Sequence, residues 1–207
     1  MGGGFGRRAS IDNASEAMQI AKAIEQPVKV YWTRTDDIQN DAYRPAMYHK
    51  LSASLNQDKN ILSWQDQLSG TPFLQNIARI NVEAIGGAAG DFYYPVENFK
   101  SSFHFLEPPI PCGASHNNFA VECFVDELAA KSGIDPFNYR LKLLSKGKAG
   151  EIQTKLGRKL MFSPERLIAV LRKAAEEIGW HNSNRKGHYF GIACCPYLTA
   201  KSYAAHA

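Results

Sequence analysis

The chain has 207 residues, 44% of them hydrophobic and 21% charged, with a formal net charge of +4. That is the composition of a folded polypeptide with enough chain for a real core, and it excludes a disordered one. The basic excess is spread along the chain, which speaks against nucleic-acid binding, and no apolar run approaches the roughly 18 residues of a membrane-crossing helix.

The first element is a loop, MGGGFGRRAS, with no strand in front of it. Gly2, Gly3, Gly4 and Gly6 permit positive φ angles and close backbone approach, so that several N–H groups can converge on an anion. Arg7 and Arg8 add planar, charge-assisted donors suited to phosphate or carboxylate. Phe5 needs something to lean on, either core or a flat ligand. The glycine spacing fits neither the dinucleotide fingerprint nor a P-loop. From glycine chemistry alone, a cofactor or anion site and a merely tight turn stay open.

Helical spacing of Ile11, Ala14, Ala17, Met18, Ala21 and Ile24 predicts an amphipathic helix ended by Pro27. Asn13 and Glu16 have capping-box spacing within it, and an earlier start on the loop is the alternative. Val28 to Trp32, VKVYW, reads as a short buried strand. In WTRTDD, Arg34 suits either a cofactor or an ion pair with Asp36 or Asp37. Met47, His49, Leu51, Ala53 and Leu55 alternate on one face, Asn56 to Lys59 form a turn, and Ile61 to Trp64 begin a return strand, which together predict a β-hairpin.

Residues 69–113 lack periodicity and are rich in Gly and Pro, so they read as irregular. Phe119, Cys123, Val125, Leu128 and Ala129 mark a helix stopped at Gly133, with Asn117 and Asn118 as N-cap candidates. Asp135-Pro136 and Ser163-Pro164 each pair an N-cap with proline at the first helical position, and Gly179 stops the second of these helices. Lys and Arg around 140–160 read as a solvated surface with a short hairpin, and HYFGIACCPYL as a closing strand. The expected organisation is 1–68 (loop, helix, strand and hairpin), 69–113 (irregular) and 114–207 (helix-rich, ending in a strand).

Four cysteines occur, Cys112, Cys123, Cys194 and Cys195. The adjacent pair suits neither a relaxed disulfide nor zinc spacing, and Cys123 reads as a buried, inert thiol. Ser115-His116 lacks an orienting acid for a nucleophile–base pair, which leaves His116 as a helix cap or the lining of a ligand groove.

The string GGGFGRR, followed by a helix and PVKVYWTRTDDI, resembles the molybdenum-cofactor-binding subunits of the xanthine dehydrogenase/aldehyde oxidase superfamily, especially the isoquinoline 1-oxidoreductase β-subunit group. Tyr43-Arg44-Pro45, Tyr94-Pro95-Val96-Glu97-Asn98 and the long stretch from Ser115 to Leu144 are similar and collinear. The resemblance implies an α+β fold, a mixed sheet and hairpin with packed helices forming part of a molybdopterin-binding region. It implies that Gly3, Gly4, Phe5, Gly6, Arg7 and Arg8 contact a molybdopterin-type molybdenum cofactor, with the cytosine dinucleotide form among the alternatives. It implies hydroxylation of N-heterocycles or aldehydes, with electrons leaving through iron–sulfur clusters on a separate small [2Fe-2S] subunit.

The departures carry their own expectations. The family's catalytic Glu lies in a distant C-terminal region, and Glu107 and Glu122 stand outside that context, so no catalytic residue and no protein metal ligand is assigned. Ile110 stands about where related subunits carry an Arg, and Cys112 is no substitute for a guanidinium. The resemblance therefore reads as a partial large subunit, inactive alone and partnered by its missing remainder. A non-catalytic degenerate or accessory anion-binding module is the alternative. No secretory signal is visible in the chain, and the compartment, cytoplasmic or periplasmic, stays open.

Overall fold

A computed structural model describes residues 11–41, 46–70, 92–106, 115–148, 150–153, 159–181, 187–196 and 203–206. Within these lie helices α1 (Asp12–Ile24), α2 (Arg34–Asn40), α3 (Ser115–Ser132), α4 (Pro136–Leu144) and α5 (Pro164–Ile178). The strands are β1 (Met47–Leu55), β2 (Ile61–Gly70), β3 (Asn98–Phe105), β4 (Gly150–Gln153), β5 (Lys159–Phe162), β6 (Ala193–Pro196) and β7 (Tyr203–His206). The fold is α+β: a mixed three-stranded sheet, two short antiparallel pairs and packed helices.

The predicted hairpin forms. β1 and β2 pair antiparallel, with Ala53 opposite Trp64, and the alternation along β1 turns Leu51, Ala53 and Leu55 toward the core. β3 then adds to β2 in parallel, Trp64 opposite Phe99. This strand lies within the stretch expected to be irregular. NFKSSFHF alternates too weakly to stand out beside its Gly- and Pro-rich neighbours, and its pairing is set by β2, not by local pattern.

α3 lies on the inner face of the sheet and meets α4, which in turn meets α5. Trp64 is the hinge of this core. It sits 4.4 Å from Phe92 and 5.1 Å, edge-on, from Phe124 of α3, and Phe92 stacks on Phe99 at 5.4 Å. Offset and edge-to-face pairs of this kind add to area burial, which alone is worth about 1.5–3 kcal/mol per large apolar side chain. The caps are those the sequence predicts. Asp135 accepts from the Asn138 N–H at 3.0 Å, Ser163 from Arg166 at 3.2 Å, and Gly133 and Gly179 end their helices at φ +67° and +69°. Asp135 uses its second oxygen to hold the Trp180 indole at 3.0 Å, tying the end of α5 to the start of α4.

Several local expectations are corrected. Val28 to Trp32 takes no regular secondary structure and pairs with no described strand, and Tyr31 is 76% exposed, so it is no buried strand. β-branched residues make a segment fit for a sheet, yet only a neighbour makes it one. α1 begins at Asp12, which places Asn13 inside the helix and not at its cap. α3 begins at Ser115, so Asn117 and Asn118 also lie within a first turn. Phe119 and Cys123 are exposed, not core. Each lies two residues from Val121 or Val125, about 200° around the helix from a buried position.

Candidate functional site

The glycine loop, Gly3, Gly4, Phe5, Gly6, Arg7 and Arg8, lies outside the described residues, as do Arg44, Glu107, Ile110 and Cys112. α1 starts at Asp12, four positions after Arg8 in the sequence, and Ile11 gives it no side-chain cap. α1 leads into the segment Val28 to Trp32 and then α2, whose start is fixed by a capping box. Thr33 accepts from the Asp36 N–H at 3.2 Å, and Asp36 accepts from the Thr33 N–H at 2.9 Å. The hydroxyl and amide of Thr33 hold the Asp36 carboxyl below its ordinary value. Arg34 pairs with Asp37 at 2.5 Å, the ion-pair alternative of the two.

Trp32 donates its indole N–H to Glu16 at 3.0 Å and so ties the segment Val28 to Trp32 to α1. Between them is a recess of about 270 Å³ lined by Glu16, Ala17, Val30, Trp32, Asp37 and Asp41. Its three carboxylates, of which Asp37 is paired with Arg34, disfavour a phosphate there. A second, shallower recess of about 550 Å³ lies over the outer face of the sheet among Ser52, Ser63, Gln65, Asn98 and Lys100. Among the described residues no group of three or more His, Cys, Asp or Glu is placed to hold a metal ion.

The most developed polar arrangement is buried, and no sequence motif points to it. Glu122 on α3 accepts from the Tyr93 and Tyr94 hydroxyls at 2.6 and 2.9 Å on one oxygen. Its other oxygen accepts from Arg140 Nε and from the Cys194 N–H, both at 2.8 Å. Arg140, expected on a solvated surface, is fully buried. It also donates to Asp126 at 2.6 Å and to the carbonyls of Pro136 and Glu122 at 3.1 and 3.0 Å. Burial draws the guanidinium down, but Glu122, Tyr94 and Asp126 outweigh it and hold Arg140 above its ordinary value. Burial, reinforced by Glu122 and the neighbouring groups, pushes both tyrosines well up. With two donors on each oxygen, Glu122 has no lone pair directed at a substrate. It joins α3, α4, β6 and the segment before β3, and it is a structural hub and not a general base.

A second buried polar pair sits on the inner face of the sheet. His49 Nδ1 lies 3.2 Å from both oxygens of Asp66, whose side chain is fully buried. Alternation places His49 inward, but the sequence marks only the beginning of the return strand, Ile61 to Trp64, and does not single out Asp66. His116, in the first turn of α3, is half-buried, and Asn118 accepts from the Tyr93 hydroxyl at 3.3 Å. Cys194 is buried and Cys195 half-buried, and both are free thiols.

Among the described residues the fold is a mixed sheet backed by helices. Residues 1–102, just under half of the chain, match the molybdopterin cofactor-binding domain. That match and the relatives below support a likeness to the molybdopterin-binding subunits of the xanthine dehydrogenase/aldehyde oxidase family. It is 26% identical to the β subunit of isoquinoline 1-oxidoreductase from Brevundimonas diminuta, over 97% of this chain and 26% of that protein. It is also 26% identical to a nicotinate dehydrogenase subunit of Pseudomonas putida, over 78% of this chain and 15% of the relative. The crystal structure of quinoline 2-oxidoreductase from Pseudomonas putida 86 superposes with a TM-score of 0.63 at 15% identity, over 94% of this chain and 27% of that one. That likeness is one of fold. The chain thus spans about a quarter of the length of these relatives or less, in keeping with a partial molybdopterin-binding region.

Proposed function

We propose that this chain is part of the cofactor-binding region of a molybdenum hydroxylase large subunit and that its glycine loop contacts the cofactor. The observation that carries this reading is the match of residues 1–102, loop included, to the molybdopterin cofactor-binding domain. The backbone N–H groups of Gly3, Gly4 and Gly6 bind oxygen atoms of the cofactor, the ring of Phe5 packs beside it, and Arg7 and Arg8 offset its phosphate charge. The donor set suits an anionic, flat-ringed group, and the uncapped N-terminus of α1 directly after the loop supports the same placement. When bound, the cofactor supplies the oxidative hydroxylation chemistry; the residues of this chain bind and orient it.

The substrate class is an N-heterocycle or an aldehyde. Isoquinoline and nicotinate, in the names of the two relatives, are both electron-poor N-heterocycles. The cytosine dinucleotide is one form the cofactor takes. The electron acceptor is a small [2Fe-2S] subunit, and the catalytic base comes from the rest of the large subunit; Glu122, with both oxygens occupied, does not supply it. The chain alone therefore does not turn over substrate.

The test is molybdenum and pterin content of the purified chain, co-expressed with the polypeptide carrying the remaining family sequence. The wild type retains both, and Gly4→Val or Arg7→Ala with Arg8→Ala lowers the content at least about tenfold, the loss of one or two charge-assisted contacts. Turnover of isoquinoline by the chain alone refutes the inactivity. A folded protein that never retains pterin refutes the cofactor role and leaves an accessory module.

A further inference from the structure

We draw no further inference here: the strongest candidate, the buried polar row of His49, Asp66 and Ser101 across the inner face of the three-stranded sheet, carries nothing, because its two atoms without a partner, His49 Nε2 and Ser101 Oγ, are sealed from solvent and nothing in the structure shows what could reach them.

Discussion

Arg140 Nε meets Glu122 Oε2 at 2.8 Å with neither side chain reaching solvent, and the two residues join helices that are consecutive in the chain. Each remaining polar atom of the pair is used, so the pair is neutralised and hydrogen-bonded on all sides. The desolvation cost of such a pair is offset only while both partners are present. Arg140→Met leaves a buried carboxylate facing neutral donors and is expected to cost about 3–5 kcal/mol, or about 6–20 °C in Tm. Glu122→Gln with Arg140→Met should cost less than the sum of the two single changes, by about 0.5–3 kcal/mol. Urea denaturation of the four proteins measures the cycle, and simple additivity would show that the two groups do not act as a pair.

Tyr93 and Tyr94 give the same hub an alkaline limit. Burial raises both phenols, with Glu122 adding to it, so the folded chain holds their protons more tightly than the unfolded chain does. Their contribution is therefore complete below the ordinary tyrosine value of 10.0 and is lost as pH rises beyond it toward the folded value. Above that point stability should fall by up to about 1.4 kcal/mol per pH unit for each tyrosine. Tyr94→Phe lowers stability at neutral pH, because Glu122 loses a donor, and it makes the alkaline fall shallower. Denaturant midpoints from pH 8 to pH 11 test both signs.

Much of the architecture is legible in the sequence because it is locally encoded. Asp135-Pro136, Ser163-Pro164, Gly133 and Gly179 mark helix ends by their own side chains or backbone freedom, and each acts where the local pattern puts it. The β1–β2 hairpin is legible for the same reason, from alternation and a polar turn. The features that escape depend on residues far apart. β3 needs β2 as its template, Val28 to Trp32 lacks a partner strand among the described residues, and Asp66 has meaning only beside His49, 17 positions away. Glu122 carries one visible signal, a carboxylate next to Val121 on the buried side of α3, but its partners Arg140 and Cys194 lie 18 and 72 positions on. The proposed cofactor loop is the reverse case, specific in sequence and outside the described residues.

The thiols should separate by environment. Cys123 is exposed on α3, although partial burial and then Asp126 and Glu122 raise its thiol somewhat. Burial first, and then Glu122, push Cys195 up to about 12, and the same causes lift fully buried Cys194 further. The thiolate is the reactive form, so at pH 8 only about one Cys195 in 10⁴ is poised to react. A maleimide pulse at pH 8 followed by peptide mapping should label Cys123 and leave Cys194 and Cys195 untouched until denaturant is added. Raising the pH toward 10 should speed Cys123 labelling well before the other two respond. Early modification of Cys194 would show that β6 opens readily from the hub.

Two glycines of the frame should respond to alanine for different reasons. Gly133 ends α3 at φ +67°, and a Cβ there meets nothing within 4 Å. Gly133→Ala is thus charged only with a left-handed backbone, about 1–2 kcal/mol. Gly70 ends β2 opposite Met47, and its added Cβ would lie 2.2 Å from Met47 Sδ and 2.8 Å from the Ala46 carbonyl oxygen. The thioether can swing away, but the carbonyl belongs to the chain entering β1 and moves only with it. The same residue's own carbonyl accepts from Leu106 at 2.8 Å, so a shift at Gly70 is passed to the end of β3. Gly70→Ala is expected to cost about 1–3 kcal/mol by overpacking, with faster amide exchange at Leu106 and at both ends of the β2–β3 pair. Gly133→Ala leaves exchange at Leu106 unchanged. Equal exchange at Leu106 in the two variants would mean that the contact at Gly70 relaxes through Met47 alone.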